Sequence, residues 1–398
     1  MPNAPATKIM FFWKRYRFRL LLAGIICMSL LAAAKLSLEY YRLIFEPGWV
    51  GAVDLAMYYK GVRAWFEGKV MYTSSYAPYP PATFAMLWPF LGWLDFSAAR
   101  WLWAIASVFM LSWLVLQTVR ESHAKSGLER TFIALIPLSM NATGVQIGNG
   151  QLALFILPVI VAGLWLLTNR PVSWTNDLLA GAAMTVFVLK PTVGIPFLWI
   201  ALLVPFRLRP VILMIVIYLA LTCCAMLYRN ESLLFHLAHW LERGNNVARE
   251  GGYAEIHTLL ARLHLPQLIV PSSLLLLSLL GIWIYSYRRI DLWILIGVTA
   301  LIARFWANHR LYDDILILLP LISLFRIAKS QSKWQVAAAL LFTVTLLAML
   351  VPARITELPW PRHLWITAPR ATLWLAILAL LMAEAHEQKK AAVSTLRN

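Results

Sequence analysis

Apolar residues dominate this chain in long blocks, and polar residues gather between them. Runs suited to membrane helices recur at about 20–38, 97–119, 131–146, 151–168, 177–190, 192–206, 211–228, 271–287, 291–307, 311–327, 334–351 and 369–385. A helix needs roughly 20 apolar residues to cross about 30 Å of hydrocarbon, and several of these runs are shorter. The pattern predicts about twelve transmembrane helices in an all-α polytopic membrane protein, a single membrane domain over 1–398 with no internal repeat.

One further apolar stretch, 80–95, decides the topology. It opens with Pro80-Pro81 and contains Pro89, which suits an interfacial helix at the headgroups better than a crossing. With both termini in the cytoplasm, twelve crossings then put Arg120, Lys125, Arg130, Arg170, Arg207, Arg209, Arg288, Arg289, Arg326, Lys329 and Lys333 in cytoplasmic connectors, as the positive-inside rule requires. Counting 80–95 as a span would move those loops outside. The outer face then carries the loops 39–96, 229–270 and 352–368, and that bulk places the chemistry there.

Composition agrees. Hydrophobic residues make up 61% of the 398 and charged residues 13%, against about 25% charged in a soluble domain. The net charge of +17 comes with no nucleic-acid recognition pattern, so nucleic acid is excluded as a partner and membrane lipids take its place. Cys27, Cys223 and Cys224 all lie in apolar runs, with neither disulfide nor zinc spacing. The basic flank Lys14, Arg15, Arg17, Arg19 precedes a run too long for a signal h-region, so 20–38 reads as a retained span.

Candidate chemistry concentrates on the outer side. Asp54 follows the first span; on its own it reads either as a helix N-cap or as an acid set where a headgroup meets water. Glu67, Asp95, Asp313 and Asp314 are other acids on that face. Cations stand at outer span ends: Lys190, His309 and Arg310, with Arg304 inside a span and Lys60 in the first loop. Lys190 reads as snorkelling or functional, and Arg310 as a partner for Asp314 at i+4 or as an anion contact. His236 and His239 have i,i+3 spacing but no His-Glu-x-x-His pattern or third ligand, so no metal is expected there.

Four short motifs occur in a particular order. Asp54-x3-Tyr58, Gly68-x3-Tyr72 and Tyr79-Pro80-Pro81, with Pro89 and Trp101 beyond, form the first. Gly150-Gln151, Leu189-Lys190-Pro191, and Tyr312-Asp313 running to Leu318-Leu319-Pro320 follow. Together they resemble glycosyltransferase family 87, of the GT-C superfamily of multi-spanning transferases, over most of residues 50–330. The resemblance implies a GT-C-type fold and a polyprenyl-phosphate-sugar donor, most commonly mannose, with a lipid or glycan acceptor. It also implies inversion at the anomeric carbon, in the plasma (inner) membrane with the active site on the outer, periplasmic side. It gives Asp54 the role of general base and makes Tyr58, Lys60, Tyr79, Gln151, Lys190, Arg304, His309, Arg310, Tyr312 and Asp313 the expected substrate contacts. Some GT-C enzymes hold a metal with acids near the second outer turn, where this chain has neutral Gln146, Asn149 and Gln151. Metal-independent chemistry with no cofactor is therefore expected. Arabinofuranosyl transfer is the nearest variant. A lipid-linked-sugar flippase or transporter is the rival class, and a non-catalytic assembly subunit a third reading.

Overall fold

The computed structural model describes residues 4–47, 50–72, 76, 78–249, 255–351 and 364–395, and every regular element among them is helical. The helices are α1 (Ala4–Phe45), α2 (Val53–Phe66), α3 (Pro81–Leu91), α4 (Phe96–Glu121), α5 (Gly127–Ser139), α6 (Asn141–Asn149), α7 (Ala153–Asn169), α8 (Trp174–Phe187) and α9 (Pro191–Leu203). There follow α10 (Leu208–Met226), α11 (Leu233–Arg249), α12 (Ile256–Arg262), α13 (Ile269–Tyr287), α14 (Leu292–Phe305), α15 (Leu318–Lys329), α16 (Gln335–Leu350) and α17 (Leu364–Thr395), with a 3₁₀ turn at Leu311–Ile317 before α15.

Local chemistry explains many of the boundaries. Asp95 caps α4 by accepting from Ala98 N at 2.8 Å, Ser126 and Glu129 form a capping box on α5, and Ser173 and Asp291 cap α8 and α14. Each side-chain oxygen satisfies an amide that the helix itself leaves unpaired. Pro81 and Pro191 open α3 and α9 at the first position, where the missing N–H costs nothing. α5 and α6 are bent by 46° at Met140, one turn after Pro137, whose ring removes a helical hydrogen bond.

Five helices, within Phe18–Phe45, Phe96–Glu121, Leu208–Met226, Pro266–Tyr287 and Ala368–Ala392, are long and apolar enough to cross a membrane, and six if α5 and α6 form one broken span. They leave apolar side chains facing outward: α10 buries only Pro210, Thr222 and Ala225 and exposes Leu208, Ile212, Ile215, Val216 and Leu219. A chain with such a belt is embedded in a membrane, because only lipid accommodates it. α7, α9, α14 and α16 are shorter, and α14 is almost wholly buried. The twelve expected spans all fall on helices, but length and composition qualify only the five or six.

Several sequence-based boundaries change. α1 runs past the expected end at 38 because Glu39 and Arg42 pair at 2.6 Å and Lys35 Nζ donates to Ser139 O at 2.9 Å. The segment 80–95 is helical over Pro81–Leu91, with Thr83, Phe84, Leu87 and Leu91 buried against the protein. The loop 229–270 holds α11 and α12. The loop expected at 352–368 lies outside the described residues up to 363.

Two groups of polar side chains lie at the ends of α14. At one, Arg326 Nη2 reaches Asp291 Oδ2 at 2.7 Å, Trp293 Nε1 donates to Glu121 Oε2 at 3.1 Å, and Asp291 N donates to Gln388 Oε1 at 3.1 Å. The other surrounds Arg304. Asp291 and Arg304 mark opposite ends of α14, roughly 20 Å apart at 1.5 Å per residue.

Candidate active site

The second group is assembled by close backbone approaches. Ala52, with φ 55°, starts α2, and its N–H donates to Gly148 O at 2.9 Å. Gly150 ends α6 with φ 72°, and a Cβ there would meet Leu55 Cβ at 2.6 Å. Glycine is thus required twice, for the left-handed conformation and for the contact. This turn lays Asn149 and Gln151 against Asp54, which occupies the second position of α2. The N-cap reading of Asp54 is incorrect: Ala52 is the cap residue, and no side chain caps α2.

Three long-range hydrogen bonds bring in the remaining elements. Thr83 Oγ1 donates to Leu189 O at 3.1 Å, Trp306 Nε1 to Thr192 O at 2.7 Å, and Gln146 Nε2 to Tyr312 O at 2.9 Å. They tie α3, α6 and the 305–317 segment to the turn between α8 and α9. In the first turn of α9 a Cβ on Gly194 would sit 1.9 Å from Phe187 O.

Gln151 is the hub. Its Oε1 accepts from Tyr58 OH at 2.9 Å and lies 3.4 Å from Lys190 Nζ, while the amides of Gln151 and Asn149 hydrogen-bond the Asp54 carboxylate. Tyr79 OH is 3.4 Å from Tyr58 OH. Lys190 Nζ contacts Asp313 Oδ1 at 2.7 Å and sits 5.2 Å from the Tyr312 ring centroid. Asp313 Oδ2 receives Arg310 N at 3.1 Å and lies 3.1 Å from His309 Nδ1. That imidazole is not aligned for a straight hydrogen bond, and its buried Nε2 has no partner among the described residues.

The two carboxylates differ in kind. Both oxygens of Asp313 are engaged. Asp54 has no cation in contact among the described residues, and burial pushes its carboxyl up to about 6 against the opposing pull of the Gln151 amide and Lys190. It is an acid poised to exchange a proton near neutrality. Burial also raises the phenols of Tyr58 and Tyr79, which therefore remain neutral donors.

Asp54, Tyr58, Tyr79, Gln151, Lys190, His309, Tyr312 and Asp313 are thus brought together. Lys60 is not: it stands exposed on α2, roughly 200° around the helix from Tyr58. Arg310 is exposed, and the expected i+4 pair with Asp314 does not form, because Asp314 instead holds Arg304 Nε at 2.7 Å and Arg370 Nη1 at 3.5 Å. Arg304 is buried close to Glu255, and the half-buried Arg370 shares Asp314 with it; His257 is buried nearby on α12. Glu255, His257 and Arg370 were not among the expected site residues; a buried arginine in an apolar helix was the one available signal. His236 and His239 diverge, His236 toward Trp65 and Glu231, His239 toward Phe235.

An acid with an adaptable proton beside a buried ammonium, reached by amides and phenols, suits the activation of a hydroxyl near an anion. A model of glycosyltransferase family 87 matches residues 76–324, more than half of the chain. The match includes Tyr79, Gln151, Lys190, Arg304, His309, Arg310, Tyr312 and Asp313, and begins after Asp54, Tyr58 and Lys60. No curated protein and no solved structure matches the chain. The chain belongs to glycosyltransferase family 87, a membrane glycosyltransferase that moves a sugar from a donor to an acceptor.

Proposed function

We propose that the protein transfers a sugar, mannose in the first instance, from polyprenyl phosphate to a lipid or glycan acceptor, with inversion and without a metal. The observation that carries this reading is the contrast between Asp313, tied to Lys190 and His309, and Asp54, whose carboxyl is free of a contacting cation. Asp54 takes the proton from an acceptor hydroxyl as that oxygen bonds to the anomeric carbon. The bond from that carbon to the phosphate oxygen breaks, and its electron pair leaves with polyprenyl phosphate. Lys190 and His309 Nε2 stabilise the departing charge, which matters most in a site shielded from water. Arg310, exposed at the rim, meets the anionic headgroup. Arg304 is reassigned from the phosphate, since its Nε is held by Asp314 and its Nη1 turns toward Glu255.

The reading includes twelve crossings, with α3 interfacial, the Asp54 group on the outer face of the inner membrane, and one membrane domain. The two polar groups at opposite ends of α14 support it. Three connectors expected in the cytoplasm, those of Glu121, Asp291 and Arg326, meet in the Asp291 group, and most residues expected at the site meet around Gln151.

The test uses purified protein in nanodiscs with radiolabelled polyprenyl-phosphate mannose, a membrane lipid extract as acceptor, and EDTA. Label should pass to a new product with release of polyprenyl phosphate. Absence of transfer from mannosyl, arabinofuranosyl and other polyprenyl-phosphate sugars alike would remove the reading in favour of a transporter.

A further inference from the structure

Next to His309 lies a set of buried polar atoms that the proposed chemistry does not use. Glu255 is buried, and its Oε1 accepts from the Thr258 hydroxyl while Oε2, like Arg304 Nη1 and His257 Nδ1, has no hydrogen-bond partner among the described residues. Arg304 Nη1 lies 3.9 Å from that oxygen, too far for a hydrogen bond, and has no acceptor either. His257 Nε2 is 2.7 Å from Ser273 Oγ, and Ser273 Oγ is 2.7 Å from Trp306 O. The serine proton goes to the carbonyl, so His257 donates through Nε2 and keeps a lone pair on Nδ1, which is also buried without a partner. Burial, with His309 as the next cause, pushes His257 down to about 4, so it stays neutral.

The unmet requirements are therefore two acceptors and one charged donor. An inorganic or lipid phosphate offers only acceptors at neutral pH and would face the Glu255 carboxylate. A metal cation or ammonium would face Arg304. A hydroxyl group can donate to Glu255 or His257 and accept from Arg304, and a polyol offers several at once. His309 links this group to the Lys190–Asp313 pair: its Nδ1 lies 3.1 Å from Asp313 Oδ2, and its charge acts on both Glu255 and His257. A sugar bonded directly to the phosphate carries its hydroxyls next to the anion, so a subsite for them belongs beside the groups that meet the phosphate.

We propose that Glu255 Oε2, His257 Nδ1 and Arg304 Nη1 form the subsite for the hydroxyl groups of the donor sugar, and that Glu255 determines which sugar is accepted. The inference rests on the polyprenyl-phosphate-sugar reading above. A site built to hydrogen-bond a hydroxyl rejects ligands lacking it far more strongly than an apolar pocket rejects an extra methylene, so this subsite carries the discrimination.

The test is binding, with full-length protein in nanodiscs. The probes are polyprenyl phosphate and its mannosyl, glucosyl, galactosyl and arabinofuranosyl derivatives. Wild type should bind one sugar-bearing lipid about tenfold or more tighter than the others. In Glu255→Gln that preference should collapse while the affinity for bare polyprenyl phosphate holds. Glu255→Asp keeps the charge beside Arg304, withdraws it by one methylene, and should lose the preference in the same way, which covers a failure of the first variant to fold. If either folded variant keeps the preference, the assignment of Glu255 is wrong. If wild type binds the bare lipid and distinguishes no sugar, the subsite is not a sugar site although the phosphate reading stands. If wild type binds none of the five lipids, the donor reading itself fails and the subsite falls with it.

Discussion

The ammonium of Lys190 lies 2.7 Å from Oδ1 of Asp313, although 123 residues separate the two in the chain. Both are buried, so each charge depends on the other. Removing one partner of a buried pair typically costs about 3–5 kcal/mol, because the remaining charge is left without compensation. Lys190→Met should therefore lower thermal stability by about that amount and abolish transfer. The double variant Lys190→Met with Asp313→Asn should recover most of the stability and none of the activity. If the double variant is as unstable as the single one, the pair is not what holds these elements together.

Asp54 is a different case, since it does not cap α2 and contacts no cation among the described residues. Asp54→Asn should reduce turnover about 10²-fold or more and leave binding of polyprenyl phosphate intact. Its folded pKa lies above its unfolded one, so any stability from this group is present at low pH and lost as pH rises through about 6. At pH 7 the asparagine variant should melt at the wild-type temperature or above it. A large drop in melting temperature would instead make Asp54 a structural residue.

The same shift predicts the pH profile. A base works in its ionised form, so kcat/KM should fall as pH drops below about 6, tenfold per unit. The apparent value belongs to the coupled group of Asp54, Lys190 and Asp313. A profile flat down to about pH 4, where an ordinary carboxylate titrates, would mean that Asp54 is not the base.

Gly150 offers a test of the turn that delivers Gln151. Gly150→Ala should cost about 1–3 kcal/mol, from the left-handed backbone and the overlap with Leu55, and should slow turnover by displacing Gln151 from Asp54. Gly68 is the control: its φ is also positive, at 71°, but nothing lies within 4 Å of an added Cβ. Gly68→Ala should cost stability through the backbone alone and spare turnover. Equal effects on turnover would exclude a special role for the 148–151 turn.

The topology is open to labelling. In a background without Cys27, Cys223 and Cys224, cysteines placed at Ser126 and Ser330 should react only with reagents that enter the cytoplasm. Outer labelling at both would invert the reading and move the Asp54 group to the inner face.

The positions of the helices, their apolar character and most residues of the candidate cluster were legible in the sequence because each is a local property. A run such as 211–228 is apolar whatever surrounds it, and Asp54-x3-Tyr58 or Lys190-Pro191 can be seen in a few consecutive residues. Hydropathy was least informative where a helix is enclosed by protein: α14 faces protein rather than lipid, so its 14 residues need not match the bilayer thickness. Only the tertiary structure decided which acid is paired and which is poised. Asp54, Asp313 and Asp314 are indistinguishable by residue type; what separates them is the company brought from elsewhere, Lys190 and His309 to Asp313, Arg304 and Arg370 to Asp314, the Gln151 and Asn149 amides to Asp54. The same holds for Arg310, whose near neighbour Asp314 was taken by Arg304 and Arg370, and for Glu255, which meets Arg304 across 49 residues. Charge, burial and proton affinity in this site are set by contacts between distant helices, and no spacing along the chain encodes those distances.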